Sequence, residues 1–453
     1  MRSADAGRRR VLIAGVAVIG ANAAASSSRP ATAPAAEPVA APVTAGSPRA
    51  AMASATSIAP TARVVIVGGG FAGATCARLL RQLAPSIAVT LIEPRARFIT
   101  GPMSNALIAG IAPAAAVTHG PAALAAVGVE VIPLAAVEID PVAHRVRLAD
   151  GRWLDADRLV VAPGIAVRFG SIDGLDAASS DRMPHGWLGG DQLGLLQRRI
   201  ADLRDGATVV IGAPQNPYRC PPGPYERASL IAWALARRMK QFRIVIADGK
   251  DDFTKRRLFQ LGWDRLHPGR IEWLARAAGG EVVGVDAASG EVRLASGERL
   301  RADLASIVPP QRAADVAAAA DLVDASGWCP VDPAGFESTR HAGVYVLGDA
   351  AIAQPIPKSA FAANSQAKLC AFVLAAELAG RPRPGTRLVN TCYSLLAPDE
   401  AISVSAVYGA AGGQINVISD GQSEVAASAG TRLHEARSAW AVYAGLIAES
   451  FGD

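Results

Sequence analysis

Aromatic residues make up only 5% of this 453-residue chain, and no basic patch interleaved with aromatics turns up. Charge is nearly balanced: the formal net is +5, and Arg2, Arg8, Arg9 and Arg10 against Asp5 carry +3 of it. The remainder is too small to draw a polyanion, so nucleic acid is excluded as a partner. Cysteine is scarce, with Cys76, Cys220, Cys329, Cys370 and Cys392 and no CxxC or CxxCH among them. That rules out a haem attachment site, a zinc ribbon and a thioredoxin-type motif in this chain. The histidines at 119, 144, 185, 267, 341 and 434 show no HxxxH spacing, and no metal site is expected. His119 and His185 are read as structural or interface residues. Past the amino terminus no stretch reaches 18 uninterrupted apolar residues, so the mature chain is not expected to span a membrane.

What remains is an Ala- and Gly-rich globular composition, 51% hydrophobic, long enough for about three domains. The start reads as processing. "RRRVLIAGVAVIGANAAA" is a charged segment, a short apolar run and small residues suited to cleavage, which makes residues 1–25 a signal peptide. Arg8-Arg9 gives it a twin-arginine look, so a periplasmic destination is expected. Residues 26–60, rich in Ala, Pro and Ser, are expected to be a flexible linker.

Folded sequence opens at "RVVIVGGGFAG", a β-branched run entering Gly68-x-Gly70-x-x-Gly73. A helical pattern and a second strand, "AVTLIE", follow, ending at Glu93 twenty residues on. In a βαβ nucleotide fold the glycines allow a tight turn, close approach of a pyrophosphate and close helix packing. Phe71 and Ala72 start the helix whose free N–H groups face the phosphates, and Glu93 is placed for the ribose hydroxyls. "RLVVAPGI" (158–165) closes the first half of such a domain, and "GVYVLGDA" (343–350) offers Gly348 and Asp349 to the ribityl and pyrophosphate part of a flavin. The three segments resemble two-dinucleotide-domain flavoproteins, and FAD is the expected cofactor. Where a second, NAD(P)H-binding fingerprint would begin, "ATVVIGAPQNPYRC" carries no GxGxxG. Electrons are therefore expected from a donor other than NAD(P)H.

Cys76 and Cys370 fall on helical patterns and read as core, and Cys329 reads as structural. Cys220 in "NPYRCPPGPYERAS" and Cys392 in "VNTCYSLLAP" differ, because both sit at turn chemistry in a chain expected to be exported, where disulfides persist. A structural disulfide and a redox pair are both open on these residues alone.

"YRCPPGPYERAS", "GWCPVD", "PIPKSAFAANSQAK" and "NTCYSLLAP" together resemble the flavoprotein subunit of flavocytochrome c sulfide dehydrogenase, from about residue 61 onward. Sulfide:quinone reductases are more distant relatives. The resemblance implies an α/β fold of two Rossmann-like dinucleotide-binding domains plus a carboxy-terminal α+β interface domain. Its expected boundaries are 61–174 with 307–382 for FAD, 175–306 for the NAD-domain-like part, and 383–453. It also implies that Cys220 and Cys392 form a redox disulfide beside the flavin and that Glu226 handles protons. Cys220 would carry the persulfide and Cys392 would face the flavin C4a, with Lys358 near the isoalloxazine. Electrons would pass to a c-type cytochrome subunit, since this chain holds no haem. One departure stands out: Gly101 occupies the position of the family's FAD-tethering cysteine, so non-covalent FAD is expected. The competing functions are a quinone-reducing sulfide oxidase and an accessory flavoprotein of a sulfur-oxidising complex.

Overall fold

β-branched and aliphatic runs set the strands, and the glycine- and proline-rich joints between them set the crossovers. The computed structural model describes residues 61–452. The expected signal segment and linker lie outside the described residues.

In chain order the first part is β1 (Ala62–Val67), α1 (Phe71–Leu83), β2 (Ile87–Ile92), β3 (Glu130–Ile132) and β4 (Arg158–Val161). The second part is β5 (Ala207–Ala213), α2 (Gly223–Ala236), β6 (Phe242–Asp248), α3 (Arg256–Leu266), β7 (Ile271–Leu274) and β8 (Leu304–Ile307). The chain then adds β9 (Val344–Val346) and α4 (Ala360–Glu377). It finishes with β10 (Leu388–Ala397), β11 (Glu400–Ala411), β12 (Gln414–Gln422) and α5 (Ala429–Phe451).

Among the described residues two sheets are parallel, and the smaller ones are antiparallel; three of these sheets frame the site. The first has the order β9-β4-β1-β2-β3, so a strand from beyond residue 340 completes a sheet begun at residue 62. The second has the order β7-β6-β5-β8. Continuous apolar strands such as Val64–Val67 suit parallel sheets covered on both faces. The third is a β10-β11-β12 meander.

Small side chains let the helices close on the first sheet. α1 buries Ala72, Gly73, Ala74, Cys76 and Ala77, and α4, apolar on all sides, packs directly against it. Ser359 caps α4, its hydroxyl accepting the Ala362 N–H at 3.0 Å and donating to Asn390 Oδ1 at 2.7 Å. That second bond ties the helix start to β10. α5 returns to the amino-terminal half. Phe451 is fully buried against Phe71 and Phe98, with ring centroids 5.3 and 5.8 Å away. His119 packs against Phe451 and Tyr443 of the same helix, so its ring is part of this seam. Among the described residues no helix is long and apolar enough to cross a membrane, and no acidic, Cys and His cluster could hold a metal ion.

Candidate active site

At the end of β1 the chain turns through Gly68, whose φ of +97° lies in the left-handed region. A Cβ there would sit 2.3 Å from the Ala162 carbonyl oxygen, and one on Gly73 would sit 1.8 Å from the Gly68 carbonyl oxygen. Both positions exclude a side chain for packing reasons. Gly70 differs: a Cβ there would meet nothing within 4 Å, so the loop faces open space at the amino end of α1. Phe71 and Ala72 form the first turn beyond it. Glu93 is buried, but its carboxylate is engaged by the protein itself. It accepts the Gly69 N–H at 2.9 Å and the Arg95 Nε at 2.7 Å, bracing the loop from below.

Across the same opening, Gly348 and Asp349 follow β9. The Asp349 Oδ1 is buried without a hydrogen-bond partner, and burial pushes the carboxyl pKa up despite Arg219 and Lys358 nearby. An orphaned buried acceptor is uncommon. Together with the open face of Gly70 it fits the hydroxyl-rich and phosphate parts of a dinucleotide. Lys358 donates to the carbonyls of Asp349 at 2.6 Å and Ala351 at 2.9 Å, and lies 3.8 Å over the Trp328 ring. Burial lowers its pKa to about 8.

The proline-rich loop carries Cys220 at φ +59°, an uncommon conformation for a side-chain-bearing residue. It is pinned on three sides. The Cys220 N–H donates to the Lys358 carbonyl at 2.8 Å, Trp187 Nε1 donates to the Arg219 carbonyl at 2.7 Å, and Tyr218 donates to the Pro221 carbonyl at 2.6 Å. α2 starts at Gly223, where a Cβ would lie 3.1 Å from the Cys220 sulfur.

Glu226, one turn into α2, accepts the Leu395 N–H at 2.8 Å and the Asn105 amide at 2.8 Å. It thereby ties the loop helix to β10, three residues beyond Cys392. Burial raises its pKa, opposed by those two hydrogen bonds and then by Lys255 and Arg227. Cys392 lies on β10 opposite Val404. Both cysteines are partly buried. Burial raises both thiol pKa values. The Leu395 N–H to Glu226 bond packs the strand that carries Cys392 against the helix that follows Cys220, across 172 residues of sequence.

Cys76, Cys329 and Cys370 are fully buried, Cys76 on α1 and Cys370 on α4, which packs against it. His185 is buried, accepts the Trp187 N–H at its Nδ1, and is held neutral by burial, with a pKa near 4. Gly101 sits in an exposed turn where a Cβ would meet nothing within 4 Å. Three buried residues escaped the sequence reading. Asn105 and Arg227 buttress Glu226, and Lys255 reaches the Cys392 carbonyl at 3.0 Å. Lys255 stands in the charged run "KDDFTKRRL", which by composition reads as solvated surface.

Known proteins resemble this chain in several stretches. Residues 194–309 match the model of the sulfide dehydrogenase [flavocytochrome c] flavoprotein chain, central region. Residues 384–451 match the flavocytochrome c sulphide dehydrogenase flavin-binding model, and 62–213 match pyridine nucleotide-disulphide oxidoreductase. A sulfide dehydrogenase [flavocytochrome c] flavoprotein chain of Chlorobaculum thiosulfatiphilum is 62% identical over 47 residues, 10% of this chain and 98% of that sequence. The chain belongs to the family of flavocytochrome c sulfide dehydrogenase flavoprotein chains. The sulfide:quinone oxidoreductase of Aquifex aeolicus superposes with a TM-score of 0.67 at 18% identity, over 86% of this chain and 92% of that one. A ferredoxin reductase of Rhodopseudomonas palustris gives 0.57 at 20% identity, over 76% and 82%. At such identities these likenesses establish the flavin- and pyridine-nucleotide-linked reductase fold alone.

Proposed function

We propose that this protein is the FAD-bearing subunit of a sulfide dehydrogenase, oxidising hydrosulfide through the Cys220–Cys392 pair and handing electrons to a separate c-type cytochrome subunit. The observation that carries this reading is that the Cys220 loop is pinned to Lys358 of the Asp349–Lys358 opening while Glu226 ties its helix to the strand carrying Cys392. Family membership supports the substrate class and the cytochrome partner.

FAD would lie with its pyrophosphate over Gly68, Gly70, Phe71, Ala72 and Gly73, its ribityl part at Gly348 and Asp349, and its ring toward Lys358. Bound flavin supplies two-electron acceptor chemistry. The protein residues do the rest. Hydrosulfide attacks the Cys220 sulfur, forming a new S–S bond as the Cys220–Cys392 bond breaks. The electron pair leaves on Cys392 as thiolate, and Cys220 keeps the persulfide, so sulfide is oxidised as the disulfide is reduced. Glu226, its pKa raised by burial, is placed to take the persulfide proton. Glu93 holds the glycine loop in shape. Export of the folded chain to the periplasm through its amino-terminal segment belongs to the same reading.

The test uses purified holoprotein. Sulfide should bleach the flavin and the protein should then reduce a c-type cytochrome, whereas Cys220→Ser and Cys392→Ser should keep FAD and stay oxidised. Sulfide reduction in either variant, or faster turnover with quinones than with any cytochrome c, would defeat the proposal. A purely structural disulfide would instead cost about 2–5 kcal/mol of stability on its loss and spare the chemistry.

A further inference from the structure

Lys255 caps the start of α3 in a left-handed conformation, φ +66°, and is only 5% exposed. Its ammonium donates to the Cys392 carbonyl at 3.0 Å and the Ser394 hydroxyl at 2.8 Å. An ammonium has three N–H donors, so one is left over. Among the described residues no carboxylate comes within ion-pair distance of it. A buried cation without an ion-pair partner is expensive, and such groups gather where charge develops during a reaction. The charges facing Lys255 are, in order of effect, Cys392, Glu226, Cys220 and Glu435. From the other side, burial raises the Cys392 thiol pKa, Lys255 lowers it and Glu226 raises it.

We propose that Lys255 is the counter-cation of the Cys392 sulfur, holding the negative charge that appears there when hydrosulfide opens the cysteine pair. This rests on the sulfide-dehydrogenase reading. In the step HS⁻ + Cys220–S–S–Cys392 → Cys220–S–SH + Cys392–S⁻, the sulfur that leaves most readily is the one whose thiolate is best stabilised. Lys255 bonds to the Cys392 carbonyl and the Ser394 hydroxyl, so its proposed role is positioning charge at Cys392.

The experiment follows thiol alkylation of chemically reduced, anaerobic holoprotein against pH, with each cysteine peptide quantified by mass spectrometry. Lys255→Gln keeps donors for the Cys392 carbonyl and Ser394 but loses the charge. It should raise the pH midpoint for Cys392 by about one to two units, the range expected for removing an opposite charge at close quarters. Lys255→Arg should restore the wild-type midpoint, and the Cys220 midpoint should move less. An unchanged Cys392 midpoint in Lys255→Gln, or no rescue by Arg, overturns the proposal. Should Lys255→Gln lose its flavin, wild type alone decides: Cys392 must react at lower pH than Cys220, and the reverse order overturns it. The parent reading fails differently. If both cysteines alkylate freely before any reduction, the redox pair is lost while the titration of the reduced protein stands on its own.

Discussion

Among the described residues Arg227 is the largest fully buried side chain, and it forms no ion pair with a carboxylate. It donates to the His185 carbonyl at 2.6 Å, Ser306 at 2.8 Å and Asn105 Oδ1 at 3.1 Å, with the Trp187 ring 4.6 Å away. Fixing the Asn105 oxygen turns its amide nitrogen toward Glu226, so a cation two shells out orients the proposed proton acceptor. Burial leaves its pKa at about 10, still charged at neutral pH. His185 is the acid-sensitive member of this cluster. Its folded pKa, near 4, lies below the ordinary 6.5, because burial disfavours the imidazolium, as do Arg227 and Arg219. A base with a depressed folded pKa contributes stability above its unfolded pKa and loses it as pH falls through the folded one. Between pH 6.5 and 4 the wild type should therefore lose up to about 3 kcal/mol relative to His185→Gln. Urea unfolding at both pH values measures the difference, and parallel curves for the two proteins would refute it.

At the scale of elements, the two parallel sheets end alike and are used differently. β2 delivers Glu93 beneath an open glycine loop, and β6 delivers Asp248 to the equivalent edge of the second sheet. Asp248 is sealed: Tyr225 donates to it at 2.5 Å, Trp273 at 2.9 Å and Lys250 at 2.6 Å, and Tyr225 stacks on Phe253 with centroids 3.6 Å apart. The turn from β5 into α2, where a phosphate cradle would need close-approach glycines, is the Cys220 loop instead. NADH mixed anaerobically with the holoprotein should leave the absorbance of oxidised flavin unchanged for minutes. Rapid bleaching would show that a nicotinamide finds another way in.

For the whole molecule, the carboxy-terminal part belongs to the site as much as the glycine loop does. β10 brings Cys392 to the Cys220 loop. α5 seats Phe451 on Phe71 and bonds Ser450 to Thr75 at 2.8 Å and Tyr443 to Thr100 at 2.7 Å. Thr100 precedes Gly101, which offers no nucleophile. Cys76 is fully buried. Acid precipitation should accordingly leave yellow FAD in the supernatant, and colour retained in the pellet would mean a covalent bond.

Local chemistry wrote much of this into the sequence. Gly68 and Gly73 are legible because the packing tolerates no side chain at those steps, Gly70 because it leaves the loop open above α1, and Cys220 with Glu226 because prolines leave that loop few conformations. The family likeness rested on the same short segments. What the tertiary structure alone decided is the company these residues keep. Glu93 turned out to brace Gly69, Asp248 to be closed off, and Lys255, from a run that reads as surface, to be buried beside Cys392. No local pattern encodes such contacts, because each joins separate segments of the chain, and only packing of the sheets and helices sets which charges meet without water between them.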